Sequence, residues 1–313
     1  MKKFIAFIFL VFSANVFAQL TYPNLLVEYD SAIQYKNLKI IPIRKRTDPG
    51  FGNDTSFNTK ISIIGLREAL QQNKAKIKER GDHMLFDLKT LVVDNLSDKY
   101  LMLMAGEILA GGRQDRVIAK DILLSPKSQK NEIPVFCVED GRWSDKEAKF
   151  KYQGGADNSL RSLMDSTMDQ QKIWKFIRKQ IRRNNINSET ESYVNLIANK
   201  KLSDTLNEYY RYFNSRFSSK DSSYVGMVCM SGDKVIGSDI FITRDLFYSQ
   251  LSFLLQGYIS ETLLYGGELT VSEKDITKYI EQLLTAKTQA AFVAKHGKML
   301  KDNNGKVIHI NTY

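Results

Sequence analysis

Short apolar runs favouring β-strands dominate the first half of the chain. An early run covers 38–43, and the polar stretch 44–60, which carries Asp48-Pro49-Gly50, predicts a long loop. Four further β-rich segments follow at close spacing, over 85–93, 100–104, 117–124 and 133–138. Within 63–80, only the spacing of Leu66, Ala69 and Leu70 indicates a short helix. The repeated short strands predict an antiparallel meander packed as a sheet or sandwich.

The second half changes to the helical period. Asn158 is placed to cap a helix running to about Arg183, and two more helical patterns cover 190–199 and 203–217. The stretch 246–264 is apolar nearly all round and predicts a buried helix, and Ser272 with Asp275 indicates the start of another. Hairpins are predicted at 224–230 with 235–242 and at 298–301 with 307–310. The fold class is therefore α+β.

The domain organisation follows from the same patterns. We expect one α+β domain over 19–313, β-rich over 19–150 and helix-rich with hairpins over 151–313. Before it, Lys2 and Lys3, an apolar run over 4–12 and the small-residue site ending at Ala18 are typical of a secretory signal peptide. We therefore expect export to the periplasm or medium and no membrane insertion after the signal is removed.

Composition narrows the function classes. The formal charge is +10, and much of it lies in one helical segment, 172–183, whose apolar positions recur at helical spacing. A basic helix can meet nucleic acid, but an exported protein rarely does, so we expect a solvated face and no nucleic-acid partner. Two cysteines and three histidines exclude a disulfide framework and a four-cysteine zinc site. No metal site is predicted, the cofactor remains unknown and the oligomeric state is open.

Candidate chemistry is concentrated between residues 106 and 143. Gly106-Glu107 and the block Gly111-Gly112-Arg113-Gln114-Asp115-Arg116 place glycines beside charges between apolar strands. A second block runs from Pro134 to Trp143. Because side chains alternate along a strand, Val135, Cys137 and Glu139 share one face, with the thiol and carboxylate about 7 Å apart.

These residues suggest a polar pocket. The candidate catalytic residues are Glu107, Cys137 and Glu139, because paired carboxylates serve glycosidic-bond cleavage and a thiol serves nucleophilic attack. Gln114, Arg116, Arg142 and Trp143 are candidate ligand-binding residues. Each has a structural alternative: the cysteine can be a packing residue or pair with Cys229 in a disulfide, and the carboxylates can be salt-bridge partners of the arginines.

The two blocks resemble a bacterial domain family named for its association with ADP-ribosylglycohydrolases and with rhodanese-phosphatase superfamily proteins. Its pattern carries Gly-Glu, then Gly-x-(Lys/Arg)-Gln-(Asn/Asp)-Arg, then Cys-Val-Glu-x-Gly-Arg-Trp, similar to Gly106-Glu107, 111–116 and 137–143 here. A third block, Gly-x-x-Val-x-Gly-x-Asp-x-Phe, is similar to 232–241 and adds Asp239 as a candidate binding residue. His309 is similar to a closing histidine. The resemblance implies handling of ADP-ribose or another NAD-derived metabolite.

Two functions from different classes follow. The first is a hydrolase or binder of ADP-ribose, a nucleotide sugar or a related small molecule, with these side chains around one pocket. The second is a non-catalytic exported binding or structural module in which the same residues form a buried polar network. Exposure distinguishes them, since a solvent-reachable cleft favours the first function and burial in reciprocal ion pairs favours the second.

Overall fold

The computed structural model describes residues 20–46, 62–81, 89–142, 144, 148–217 and 223–313. The predicted signal peptide, most of the predicted 44–60 loop and Trp143 lie outside these ranges. Within them the chain forms helices and mainly antiparallel sheets, which confirms the α+β class.

The largest sheet has seven strands and takes its strands from both ends of the chain. Its order is β1-β3-β13-β14-β16-β15, with β2 also paired to β3, and every pairing is antiparallel. The strands are β1 (Leu25–Val27), β2 (Ile33–Tyr35), β3 (Leu38–Lys45), β13 (Tyr224–Ser231), β14 (Lys234–Phe241), β15 (Gly297–Lys301) and β16 (Val307–Thr312). Both predicted C-terminal hairpins are present in this sheet.

The first half contributes two further sheets. A six-stranded antiparallel sheet has the order β12-β8-β9-β11-β6-β5, and a three-stranded sheet has the order β10-β7-β4. Their strands are β4 (Ile63–Gly65), β5 (Ala75–Glu79), β6 (Thr90–Asn95), β7 (Tyr100–Leu103), β8 (Glu107–Gly112), β9 (Arg116–Ile118), β10 (Ile122–Leu124), β11 (Asn131–Cys137) and β12 (Ala148–Gly155). The β4–β7 pair is parallel, so the arrangement is more complex than the predicted meander.

Helices cover these sheets. They are α1 (Leu66–Gln71), α2 (Asn158–Thr167), α3 (Gln170–Arg183), α4 (Tyr193–Ala198), α5 (Lys200–Phe217), α6 (Arg244–Tyr265), α7 (Glu273–Leu284) and α8 (Ala286–His296). The α6 helix is buried on most sides, as its apolar composition predicts, and Ser272 caps α7. On α3, Ile173, Ile177 and Ile181 pack inward while most of the basic side chains remain exposed.

Several boundaries differ from the sequence-based expectation. The predicted helix 158–183 is two helices, because Met168 adopts a left-handed conformation and Asp169 caps α3. Asp157, rather than Asn158, caps α2, accepting from the Leu160 N–H. The predicted strand 117–124 is likewise two strands, which enter different sheets. The pattern missed α8 and the two strands that flank α1.

The apolar interior forms three clusters of buried side chains. One lies against the seven-stranded sheet and α6, and the other two lie on opposite faces of the six-stranded sheet. Val135 belongs to one of these faces and Phe136 and Val138 to the other, as strand alternation predicts. Among the described helices, none is long and apolar enough to cross a membrane.

Candidate functional site

Arg116 is the centre of a polar network built on the six-stranded sheet. Strand register places Arg116 of β9 directly opposite Cys137 of β11, so the two side chains share one face. One terminal nitrogen of Arg116 lies 2.9 Å from the Cys137 Sγ and 3.3 Å from the Gln114 Oε1. The other lies 3.3 Å from Glu79, whose carboxylate neutralises the buried guanidinium.

Glu139 and Asp115 extend this network toward Arg142. The Gln114 amide donates to the Glu139 backbone carbonyl, and the Asp115 N–H donates to the Glu139 carboxylate at 3.1 Å. Arg142 lies 2.7 Å from Glu139 and 3.1 Å from Asp115. We call the whole set the arginine network; its members are Glu79, Gln114, Asp115, Arg116, Cys137, Glu139 and Arg142. Four of the predicted site residues, Gln114, Arg116, Cys137 and Glu139, are thus in contact.

Burial limits the chemistry of this network. Burial raises the pKa of the Cys137 thiol to about 11, despite the lowering effect of Arg116. The thiol is therefore protonated at neutral pH, whereas a nucleophilic cysteine needs a depressed pKa. Glu139 is 4% exposed and Arg142 is the network's most accessible cation, with 31% of its side chain exposed. Cys137 and Cys229 both carry thiols rather than a disulfide.

Glu107 lies apart from the arginine network. Leu109 is opposite Arg116, so Glu107 is two residues, or about 7 Å, further along β8. Its carboxylate accepts from the Met104 N–H at 2.9 Å, and within the described ranges it bonds no member of the network. The expected pairing of Glu107 with Glu139 is therefore not formed. Burial raises the pKa of Glu107 to about 8, and nearby Asp121 contributes to the rise.

Asp239 belongs to a second buried cluster. Its carboxylate accepts from Tyr258 at 2.6 Å, lies 2.9 Å from His309 and forms an ion pair with Arg161 at 3.3 Å. The other imidazole nitrogen of His309 lies 2.6 Å from Asp121. We call Asp121, Arg161, Asp239, Tyr258 and His309 the histidine network. It is separate from the arginine network, so Asp239 does not line the expected pocket.

Neighbouring opposite charges keep His309 and Asp239 ionised in the buried histidine network. Burial disfavours a charged imidazole, but the two flanking carboxylates outweigh it and raise the pKa of His309 to about 9. For Asp239, burial favours the neutral acid, but Arg161 and His309 hold the pKa below its ordinary value. The network therefore connects α2, β14, β16 and the turn before β10 through paired charges. Among the described residues, no group of His, Cys, Asp and Glu side chains is arranged to hold a metal ion.

Sequence reasoning missed Asp121, Arg161 and Tyr258. The available signal was only a charged residue next to an apolar one, as at Asp121 before Ile122 and at Arg161 after Leu160. Such residues are common on exposed helices and turns, so the pattern alone does not distinguish them. Gly106 packs closely against Arg161, since a Cβ at this position would lie 2.8 Å from the Arg161 side chain. Its φ of 98° also favours glycine.

A cavity lies between β5 and β12. These strands are the two edges of the six-stranded sheet, yet their Cα atoms approach within 8 Å, and α1 contacts both. We call this space the basic cleft; its volume is about 850 Å³. Its charged lining comprises five cations and one carboxylate: Arg67, Lys76, Lys78, Lys149, Lys151 and Asp94.

Two aromatic rings connect the basic cleft with the interior. Phe150 and Tyr152 of β12 line it, together with the amides of Gln153 and Gln256. Burial raises the pKa of Tyr152, with Glu107 adding to the rise and Arg67 opposing it. The buried Glu107 carboxyl is thus electrostatically coupled to a ring that lines the cleft. None of the five cleft cations forms a salt bridge within the described part of the chain.

The fold and the two networks define an α+β protein with a buried polar core beside a basic cleft. A family model described as the ARG and Rhodanese-Phosphatase-superfamily-associated Protein domain matches residues 26–309. The chain therefore belongs to that family, as its sequence blocks indicated. Searches of curated proteins and of solved structures found no match.

Proposed function

We propose that this protein binds a phosphate-bearing small molecule of the ADP-ribose or nucleotide-sugar class in the basic cleft. The observation that carries the proposal is the excess of cations in the cleft lining, five against one carboxylate, with four of the cations being lysines on the facing edge strands β5 and β12. Phosphate oxygens accept charge-assisted hydrogen bonds from such side chains. A volume of about 850 Å³ falls within the range of small-molecule sites.

Aromatic and amide groups fit the rest of such a ligand. Phe150 and Tyr152 offer apolar ring surface for a base or a sugar face, and Gln153 and Gln256 offer groups that pair with hydroxyls. The family's description names an association with ADP-ribosylglycohydrolase-type proteins, which supports the same ligand class by association only.

Calorimetric titration with ADP-ribose tests the proposal. Lys76→Gln combined with Lys149→Gln removes one cation from each edge of the cleft, and we expect an affinity loss of about tenfold or more. Lys175→Gln combined with Lys179→Gln, on the exposed face of α3, is the matched control because it removes the same two charges outside the cleft. Added salt should weaken binding to the parent protein. Absence of binding, or equal affinity in all three proteins, would contradict the proposal.

The proposal extends to hydrolysis through Glu107. A carboxyl with a pKa of about 8 is protonated at neutral pH and can act as a general acid. Glu107 does not itself line the cleft but acts on the charge of Tyr152, which does, whereas the Glu139 carboxylate is held by Arg142. Chromatography of ADP-ribose incubated with the protein should reveal cleavage, and Glu107→Gln should reduce turnover about a hundredfold or more. Binding of ADP-ribose without any cleavage product would contradict hydrolysis and leave the binding proposal standing.

The burial of the arginine network favours the second candidate function for those residues. Glu79, Arg116, Glu139 and Arg142 are held in reciprocal ion pairs, as in a structural module. In this form of the proposal the network fixes the β-layer, and ligand chemistry is confined to the basic cleft.

We also propose export, on the basis of the signal-like pattern over 1–18. Mature protein recovered from the native cell should begin at Gln19 and be found in the periplasm or medium. Mass spectrometry of a cytoplasmic protein that retains Met1 would overturn this assignment.

A further inference from the structure

A second cleft shares no lining residue with the basic cleft. It is formed by the turn between β13 and β14, the end of α6 and the loop that follows, and its volume is about 390 Å³. The backbone holds these segments together: the Gly232 N–H donates to Gly267, and the Gly232 carbonyl accepts from Thr270 and Val271. We call this space the acidic cleft.

Its charge is opposite to that of the basic cleft. Asp233, Glu261 and Glu268 line it, against the single cation Lys234. Asp233, Lys234 and Glu268 are exposed, whereas Glu261 is only 3% exposed. In a protein with a formal charge of +10, this concentration of carboxylates is a local exception.

Glu261 is one of two buried carboxyls that interact with each other. Its oxygens accept from the Ser159 N–H and hydroxyl, both at 2.8 Å, and the nearby Asp157 carboxyl raises the pKa of Glu261. Asp157 also accepts from Tyr193 at 2.7 Å and from the Leu160 N–H. Within the described ranges neither carboxyl forms an ion pair. Buried carboxylates are ordinarily compensated by a cation, which this pair lacks.

Two hydroxyls of the same cleft lack a hydrogen-bond partner among the described residues. Ser231 is 1% exposed, its Oγ is fully buried, and it lines the cleft at the end of β13. The Tyr265 hydroxyl at the end of α6 is likewise buried and without a partner. Leaving a buried polar group unpaired is costly, so these hydroxyls point to an absent ligand group.

We propose that the acidic cleft binds a small organic cation with ammonium N–H donors, held by Glu261, Ser231 and Tyr265. Each carboxylate oxygen of Glu261 that accepts from Ser159 retains acceptor capacity for an ammonium. The two hydroxyl oxygens accept further N–H bonds, and the exposed Asp233 and Glu268 attract the cation to the entrance.

Proton release accompanies this binding. Burial, with Asp157 adding to it, raises the pKa of Glu261 to about 7, and burial raises that of Asp157. The groups facing Glu261 are Asp157 and Ser159 at the start of α2, Lys234 on β14 and Tyr265 on its own helix. The ammonium takes the place of the proton that the carboxyl pair holds at neutral pH. Affinity should therefore rise about tenfold between pH 6 and pH 8, as the deprotonated fraction does.

Calorimetric titration with n-butylammonium and putrescine at pH 6 and pH 8 tests the proposal. Both ligands remain fully charged across this range, so the pH dependence reports the protein. We expect saturable binding that is about tenfold tighter at pH 8. Tetramethylammonium has the same charge without an N–H donor and should bind more weakly. Absence of saturation at pH 8, or binding that is independent of pH, would overturn the proposal.

Two variants locate the site. Ser231→Ala removes a hydroxyl that bonds nothing in the described structure, so it should keep the melting temperature while weakening n-butylammonium binding several-fold. Glu261→Gln should abolish both binding and its pH dependence. Ser166→Ala, on the exposed side of α2, is the matched control and should bind as the parent does. Unchanged affinity in Ser231→Ala and Glu261→Gln would place any binding elsewhere and refute the assignment.

Discussion

Replacing Glu107 by glutamine should remove a pH-dependent cost that this buried carboxyl imposes on the fold. The side chain is 1% exposed, and its carboxylate accepts from the Met104 N–H, a bond that a glutamine carbonyl can retain. Burial raises the pKa of Glu107 from 4.5 to about 8 in the folded protein. The carboxyl is thus charged in the unfolded chain over a range where it is neutral in the fold.

The sign and size follow from this difference. Because the folded pKa is raised, the unfolded state loses its proton first, and stability falls as pH rises from 4.5 to about 8. At pH 7 the cost is about 3 kcal/mol, from 1.4 kcal/mol per unit of pKa difference, and at pH 5 it is under about 1 kcal/mol. For a chain of this length, 3 kcal/mol corresponds to about 6 °C in Tm.

Thermal melts of Glu107→Gln and the parent at pH 5, 7 and 8 measure this effect. We expect the Tm of the variant, relative to that of the parent, to increase as pH rises. Glu273→Gln, at the exposed start of α7, removes an exposed carboxyl and is the control. Its difference in Tm from the parent should stay constant with pH. A Glu107→Gln difference that stays constant or shrinks with rising pH would refute the reasoning. Loss of ADP-ribose turnover alongside a raised Tm at pH 8 would separate catalysis from folding.

Two further predictions concern the two networks. Glu139→Gln should lower the free energy of unfolding by about 1–3 kcal/mol, because Arg142 loses its closest carboxylate while remaining 31% exposed; denaturant titration measures this, and an unchanged midpoint would contradict it. His309→Gln should destabilise the protein most below pH 6.5, because the raised pKa of about 9 makes the charged imidazole a stabilising group whose contribution is lost as pH rises through that value. The difference in Tm between variant and parent should therefore be smaller at pH 10 than at pH 6. A larger difference at pH 10 would show that the imidazole is neutral.

The sequence predicted the contacts that depend on strand alternation. Cys137 and Arg116 meet because each lies on the same face of adjacent strands, and Gln114 follows two residues before Arg116. The buried α6 and both C-terminal hairpins also follow from local patterns. Local alternation and periodicity determine the face on which each of these side chains lies, and the pairing of β9 with β11 then brings Arg116 and Cys137 into contact.

Features that depend on how distant segments meet could not be predicted. Lys76 and Lys149 each lie on a strand with ordinary exposed lysines, and only the approach of β5 to β12 makes them one cleft. Glu107 was grouped with Glu139 as a carboxylate pair for glycosidic-bond cleavage, whereas register separates them. The helix breaks at Met168, which adopts a left-handed conformation. That conformation is uncommon for a residue other than glycine, so no signal in the sequence indicated the break.

The insertion of β3 between β1 and β13 has a consequence for the order in which the molecule can assemble during synthesis. Residues 38–45 leave the ribosome early, yet one of their partner strands, 224–231, is completed roughly 180 residues later. Until then the edge of β3 that faces β13 is open, because β1 and β2 pair with its other edge. The largest sheet is thus complete only after residue 312 has emerged, so chains truncated in the last hairpin should retain an unpaired β14 edge and a tendency to self-associate.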